Sequence, residues 1–194
     1  SVKQDSDEAE ILARWDVLQA KGGHPDADAG AARANTARRR LPILNRLHEL
    51  KSLPPTLKSD READGLWSNN QKLLTNCRQA NQYHGFADEV SQRLTAHQRA
   101  EAARGRADAG TGTERQLLDE SRTLARLTTI EIYDPELHER LRKATSRSDA
   151  EKALNDALAA KPTIEAQVDQ AYRSLVGVGG RAASTNSQER CELA

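Results

Sequence analysis

Apolar side chains recur at three- and four-residue intervals along most of this 194-residue chain, the spacing that gathers them onto one face of a helix. Ile11, Trp15 and Leu18, with Leu12 beside them, form a first stripe. Asp5 or Ser6 is placed to cap it, and Gly22-Gly23-His24-Pro25 to stop it. A second stripe, Leu41, Leu44 and Leu47, lies in a segment from about Ala31 to Leu50 that Pro54-Pro55 ends. Pro42 is expected to kink that segment or to open a separate helix, since proline lacks the donor and clashes with the preceding turn. The third segment, from about Asp60 to Arg104, carries Leu66, Leu73, Cys77, Ala80, Ala87, Val90 and Leu94 along one side. It reads as one long helix, or as two with a break near Tyr83-His84-Gly85-Phe86.

From Gly105 to Thr113 the chain has three glycines and no large apolar residue, the composition of a linker. Thr113 then caps a helix bearing Leu117, Leu118, Leu124 and Leu127. The run from Leu127 to Tyr133 is β-like. Asp134-Pro135 looks like a cap followed by proline in a first turn, opening a short helix with Leu137 and Leu141. Ser148 is expected to cap another, with Ala150, Leu154 and Leu158, which Lys161-Pro162 breaks. A last helix holds Ile164, Val168, Ala171, Tyr172 and Leu175 and ends at Gly177-Val178-Gly179-Gly180. Residues 181–194 have little to bury and are expected to form a mobile tail.

Composition decides the class. Thirty Ala and 22 Leu stand against 11 Val plus Ile and six aromatics, and Ala and Leu favour helices where β-branched and aromatic residues favour strands. The expectation is an all-α chain: an elongated antiparallel bundle of about six to eight helices over residues 1–180, with a subdivision at 105–113. Leu, Ile, Val and Phe together number 34, a thin core. The balance of 29 basic and 29 acidic side chains argues against disorder, which pairs low hydrophobicity with high net charge. No stretch reaches the roughly 18 apolar residues of a membrane span, and the first residues are polar, unlike a signal segment.

Candidate chemistry is sparse. The five histidines, at 24, 48, 84, 97 and 138, form no pair at ligand spacing, and neither cysteine belongs to a CxxC motif. No metal and no cofactor is expected. The glycines at 177–180 follow a helix, and Ala109-Gly110-Thr111-Gly112-Thr113 lacks the lysine of a phosphate loop. Carboxylates mostly sit among Arg and Lys at surface-pair spacing, as Glu136, Glu139, Arg140 and Lys143 do. The charge pattern is most uneven over residues 33–51, net +5, where Arg33, Arg38, Arg39, Arg40, Arg46 and Lys51 face Glu49 alone. That stripe could meet nucleic acid or an anionic membrane, or pair within the fold. Cys77 and Cys191 bridge if the chain folds in an oxidising compartment, as a secreted or cell-surface protein would. In a reducing, intracellular compartment they are free thiols.

Two short stretches resemble known motifs. Leu47-His48-Glu49-Leu50-Lys51-Ser52 resembles the His-x-Leu-Lys-Gly core of histidine phosphotransfer domains, which are four-helix bundles. The resemblance implies an exposed, phosphate-accepting His48 with Lys51 balancing its charge. Ser52 stands where that family has glycine. Cys191-Glu192-Leu193-Ala194 resembles a prenylation box, which implies a lipid anchor. The expected function is non-catalytic: a helical adaptor, surface receptor or assembly subunit that binds another protein. The side carrying Leu66, Leu73, Val90 and Leu94 is the preferred contact platform, by helix-in-groove packing. Phosphotransfer through His48 and polyanion binding through Arg38 to Arg40 are the alternatives.

Overall fold

A computed structural model describes residues 7–22, 27–160 and 165–180. The described residues fold as nine helices without a strand: α1 (Glu8–Ala20), α2 (Ala27–Ser52), α3 (Leu57–Leu74), α4 (Arg78–Asn81), α5 (His84–Asp108), α6 (Glu114–Leu127), α7 (Ile130–Tyr133), α8 (Pro135–Ala159) and α9 (Glu165–Gly177). The all-α class read from composition is what the chain adopts. None of these helices is long and apolar enough to cross a membrane. The chain divides into two compact units, Ser1–Leu94 and Thr95–Ala194. The division passes through α5, while residues 109–113 are the turn that joins α5 to α6.

In the first unit α1 packs on α2, and α2 on α3. Asp7, not Asp5 or Ser6, caps α1 by accepting the Glu10 amide at 2.7 Å; Asp5 and Ser6 lie outside the described residues. Helix α2 runs unbroken through Pro42. An interior proline costs about 3 kcal/mol, but Ala34 and Ala37 before it and Leu44, Leu47 and Leu50 after it are all buried, so packing on both sides holds one helix together. The long third segment divides twice, and its second break, at Gln82 and Tyr83 between α4 and α5, stands where a break near Tyr83 to Phe86 is expected. Gly85 sits inside α5 with open space where a side chain would be. The first break comes at Asn76, whose φ of 62° is left-handed, a conformation asparagine enters more readily than most residues. Leu44, Leu47, Leu50, Ala63, Leu74, Cys77, Ala80, Tyr83, Phe86 and Val90 make the core of this unit.

In the second unit α6, α7 and α9 each pack on α8. Thr113 caps α6 in a reciprocal box with Gln116, which satisfies two amides that the helix itself cannot. The β-like run becomes extended Thr128 and Thr129 followed by the single turn α7; without a partner strand, β-propensity has nothing to pair with. Asp134 caps α8 with Pro135 in its first turn, as read from sequence, but α8 continues through Ser148 to Ala159. Leu137, Ala144, Ala150 and Leu154 keep one buried face along that length, and this outweighs a serine that could have capped a new helix. Helix α9 ends in paired bonds, Gly180 N–H to Leu175 O and Gly179 N–H to Val176 O, both 2.9 Å, with Gly179 at φ 72°. This is the glycine stop expected of residues 177–180. The tail at 181–194, Ile164 and Lys161-Pro162 lie outside the described residues.

Candidate functional site

The helix periodicity that builds α5 also sets His97 and Glu101 one turn apart on the same face, an i,i+4 pair. A third group reaches them from the start of α8. Asp134 accepts the Glu136 and Leu137 amides on Oδ1, at 3.1 and 3.0 Å, which fixes its carboxylate and turns Oδ2 toward His97 Nε2, 2.7 Å away. The imidazole is buried, its side chain 6% exposed, and its ring lies 5.9 Å from that of buried Tyr133. Glu101 is held by Arg104, 2.8 Å from Oε2. Its other oxygen, Oε1, is shut off from solvent and meets no hydrogen-bond donor among the described residues. Such an atom costs about 1–3 kcal/mol, and more when charged. One ligand atom from each of His97, Glu101 and Asp134 falls within 4.8 Å of the other two.

The electrostatics of Asp134 follow from this setting. Burial alone would raise its pKa, but the Leu137 amide, His97 and the Glu136 amide together hold it below the ordinary aspartate value. At neutral pH it is a carboxylate.

Only part of this trio is legible in the sequence. Its legible half is His97-x-x-x-Glu101, a histidine and a carboxylate at helical spacing. Asp134 is legible as a cap, and nothing in its neighbouring residues shows that it also faces His97 on α5.

The residues singled out from sequence are placed otherwise. Cys77 is a buried free thiol that donates to Glu8 Oε1 at 3.4 Å; burial pushes its pKa up, and Glu8 pushes it further, so it is a poor nucleophile. Cys191, the other half of the expected bridge and the start of the prenylation-like tail, lies outside the described residues. The arginine stripe divides. Arg40 turns inward, donating to the Leu73 and Thr75 carbonyls at 2.6 and 2.9 Å and to Glu8 at 3.0 Å. Arg46 grips Glu62 through Nε and Nη2 and Glu49 through Nη1. Arg38 lies 3.6 Å from Asp16 and is exposed, as are Arg33 and Arg39.

The residues of the expected platform do not share one helix. Leu66 and Leu73 are on α3, Val90 and Leu94 on α5; Val90 is buried, and Leu66 and Leu94 pack against the same core. Leu73 is half-buried. His48 is exposed on α2, and Lys51, one turn on, sets its ammonium over the Tyr83 ring, 5.9 Å from the centroid. No protein-family model matches the chain, and comparison with curated proteins and with solved structures finds no match either.

Proposed function

We propose that this chain is a non-catalytic helical protein that binds another protein through aliphatic side chains left on its surface. The observation that carries the reading is Ile132, which gives 56% of its surface to solvent from the single turn α7 while its neighbour Tyr133 is buried. Leu127, at the end of α6, is exposed five residues earlier. A chain with only 34 Leu, Ile, Val and Phe residues also leaves Val17, Leu53 and Val176 more than half exposed. Isolated exposed aliphatics are ordinary; two beside one short turn, in a chain this poor in them, favour a contact surface.

The supporting charge chemistry is structural. Arg40, Arg46, Arg93 and Arg140 tie helices to one another, which leaves Arg33, Arg38 and Arg39 as the outward part of the basic stripe. A protein partner is therefore favoured over nucleic acid or an anionic membrane.

The test is crosslinking in the native source with wild-type protein and with a Leu127→Asp, Ile132→Asp variant whose circular dichroism matches wild type. The expected result is a crosslinked protein mapped to residues 127–132 and reduced at least tenfold in the variant. The same crosslinks in both proteins, or none through this segment, overturn the reading.

A further inference from the structure

We propose that His97, Glu101 and Asp134 form a binding site for one divalent transition-metal ion of the zinc type, with ligand atoms His97 Nε2, Glu101 Oε1 and Asp134 Oδ2. Three independent features converge on it. The helical spacing of His97 and Glu101 presents an imidazole and a carboxylate side by side, as ligand pairs on helices do. The Asp134 carboxylate is oriented by two backbone amides through its other oxygen, the kind of outer support that fixes a metal ligand. Glu101 Oε1 is closed off from water and has no donor, and a cation supplies what it lacks.

The geometry needs little change. Ligand atoms around a tetrahedral ion with bonds of about 2 Å sit roughly 3.3 Å apart. His97 Nε2 and Asp134 Oδ2 would open to that from 2.7 Å, and the Glu101 carboxylate, one of whose oxygens lies within 4.8 Å of the other two ligand atoms, would close to it. The ion takes the place of the proton between His97 and Asp134; if that proton is on Nε2, it passes to Nδ1 or to solvent. Two carboxylates balance the 2+ charge, and Arg104 keeps its bond to Glu101 Oε2. One imidazole with two carboxylates suits zinc and its neighbours better than calcium or magnesium, which prefer all-oxygen sites. Three protein ligands leave a fourth position for water.

The experiment titrates chelator-treated full-length protein with Zn²⁺ by calorimetry, and in parallel follows the imidazole nitrogen signals of ¹⁵N-histidine-labelled protein by NMR. The expected result is one equivalent bound with a dissociation constant of about 1 µM or tighter, a change in the His97 Nε2 resonance, and at least a tenfold loss of affinity in Glu101→Gln. That variant preserves the size of the side chain, so a folding defect does not decide the outcome. The NMR arm is read on wild-type protein and needs no variant. Absence of binding at about 100 µM Zn²⁺, or binding that leaves the His97 signal and the Glu101→Gln affinity unchanged, overturns the proposal and leaves the trio as a hydrogen-bonded tie between α5 and α8.

Discussion

Glycine has opposite consequences at two helical positions here. A methyl group added at Gly30 would lie 2.5 Å from Trp15 Cζ3 and 3.1 Å from Cε3, so α1 sits against α2 where α2 has no side chain. The same addition at Gly105 meets nothing within 4 Å. Gly105→Ala should raise stability by about 0.5–1 kcal/mol, the ordinary gain in a helix. Gly30→Ala should lower it by about 1–3 kcal/mol, because the displaced indole outweighs that gain. Denaturant titration in a Trp67→Phe background measures both, with the remaining Trp15 emission shifting only in Gly30→Ala. Glu114 is a second residue whose setting fixes its behaviour. Burial would raise its pKa, but Arg140 and Arg147, bonded to it at 2.8–3.1 Å, hold it below the usual value near 4.5. A lowered carboxylate contributes stability that is present above its unfolded pKa and lost as pH falls through its folded one. Glu114→Gln should therefore cost about 2 kcal/mol at pH 7 and progressively less below pH 4.5. Glu151 has the reverse sign: burial and the Glu114 charge raise its pKa, so Glu151→Gln should relieve strain at pH 7 and lose that advantage in acid. Chemical denaturation of both variants from pH 7 to 3 checks the crossing limbs.

Between elements, the firmest charged tie in the first unit is Asp60 on α3 with Arg93 on α5, a two-pronged pair at 2.7 and 2.9 Å whose side chains are 2% and 9% exposed. Removing one partner strands a buried charge, which costs about 3–5 kcal/mol, whereas replacing both with apolar groups is far less harmful. Asp60→Ala should fall in that range by urea denaturation, and Asp60→Leu with Arg93→Met should recover at least half of the loss. A double variant no better than the single one would mean that the two helices depend on the charges themselves. No sequence pattern links Asp60 to Arg93, because each looks like a surface residue on its own helix. The elements were more legible than their ties. Caps at Thr113 and Asp134 and the glycine stop after α9 act through neighbouring residues, and the sequence displays them directly. Pro42 and Ser148 break no helix for one shared reason: each has a local preference of at most a few kcal/mol, and burial of the helix face on both sides overrides it.

On the scale of the whole molecule, the same limit explains why the site is not legible in the sequence. His97 and Asp134 are 37 positions apart, so the juxtaposition exists only after α6 and α7 have turned the chain back. Helix class, by contrast, is a property of composition and needs no long-range information. Charge is the other property that the whole sequence fixes without the fold, and it carries a prediction. The chain is neutral at pH 7 with 29 charges of each sign, and 21 of its 29 cations are arginine. Neutral proteins with mixed surface charge repel one another weakly. Imidazoles and carboxylates as classes take up protons on the acid side of neutrality, whereas lysine loses its charge only near 10 and arginine higher still. Repulsion should thus rise on the acid side alone. Light scattering at low salt should give a second virial coefficient near or below zero from about pH 7 to 9 and a positive one by about pH 5.5. Added salt should raise the value at pH 7, where it screens attraction between unlike patches, and lower it at pH 5.5, where it screens net repulsion. A second virial coefficient that stays negative across this pH range and does not rise with added salt at pH 7 would contradict this reading and point to association through apolar surface, as Ile132 and Leu127 would cause, instead of through charge.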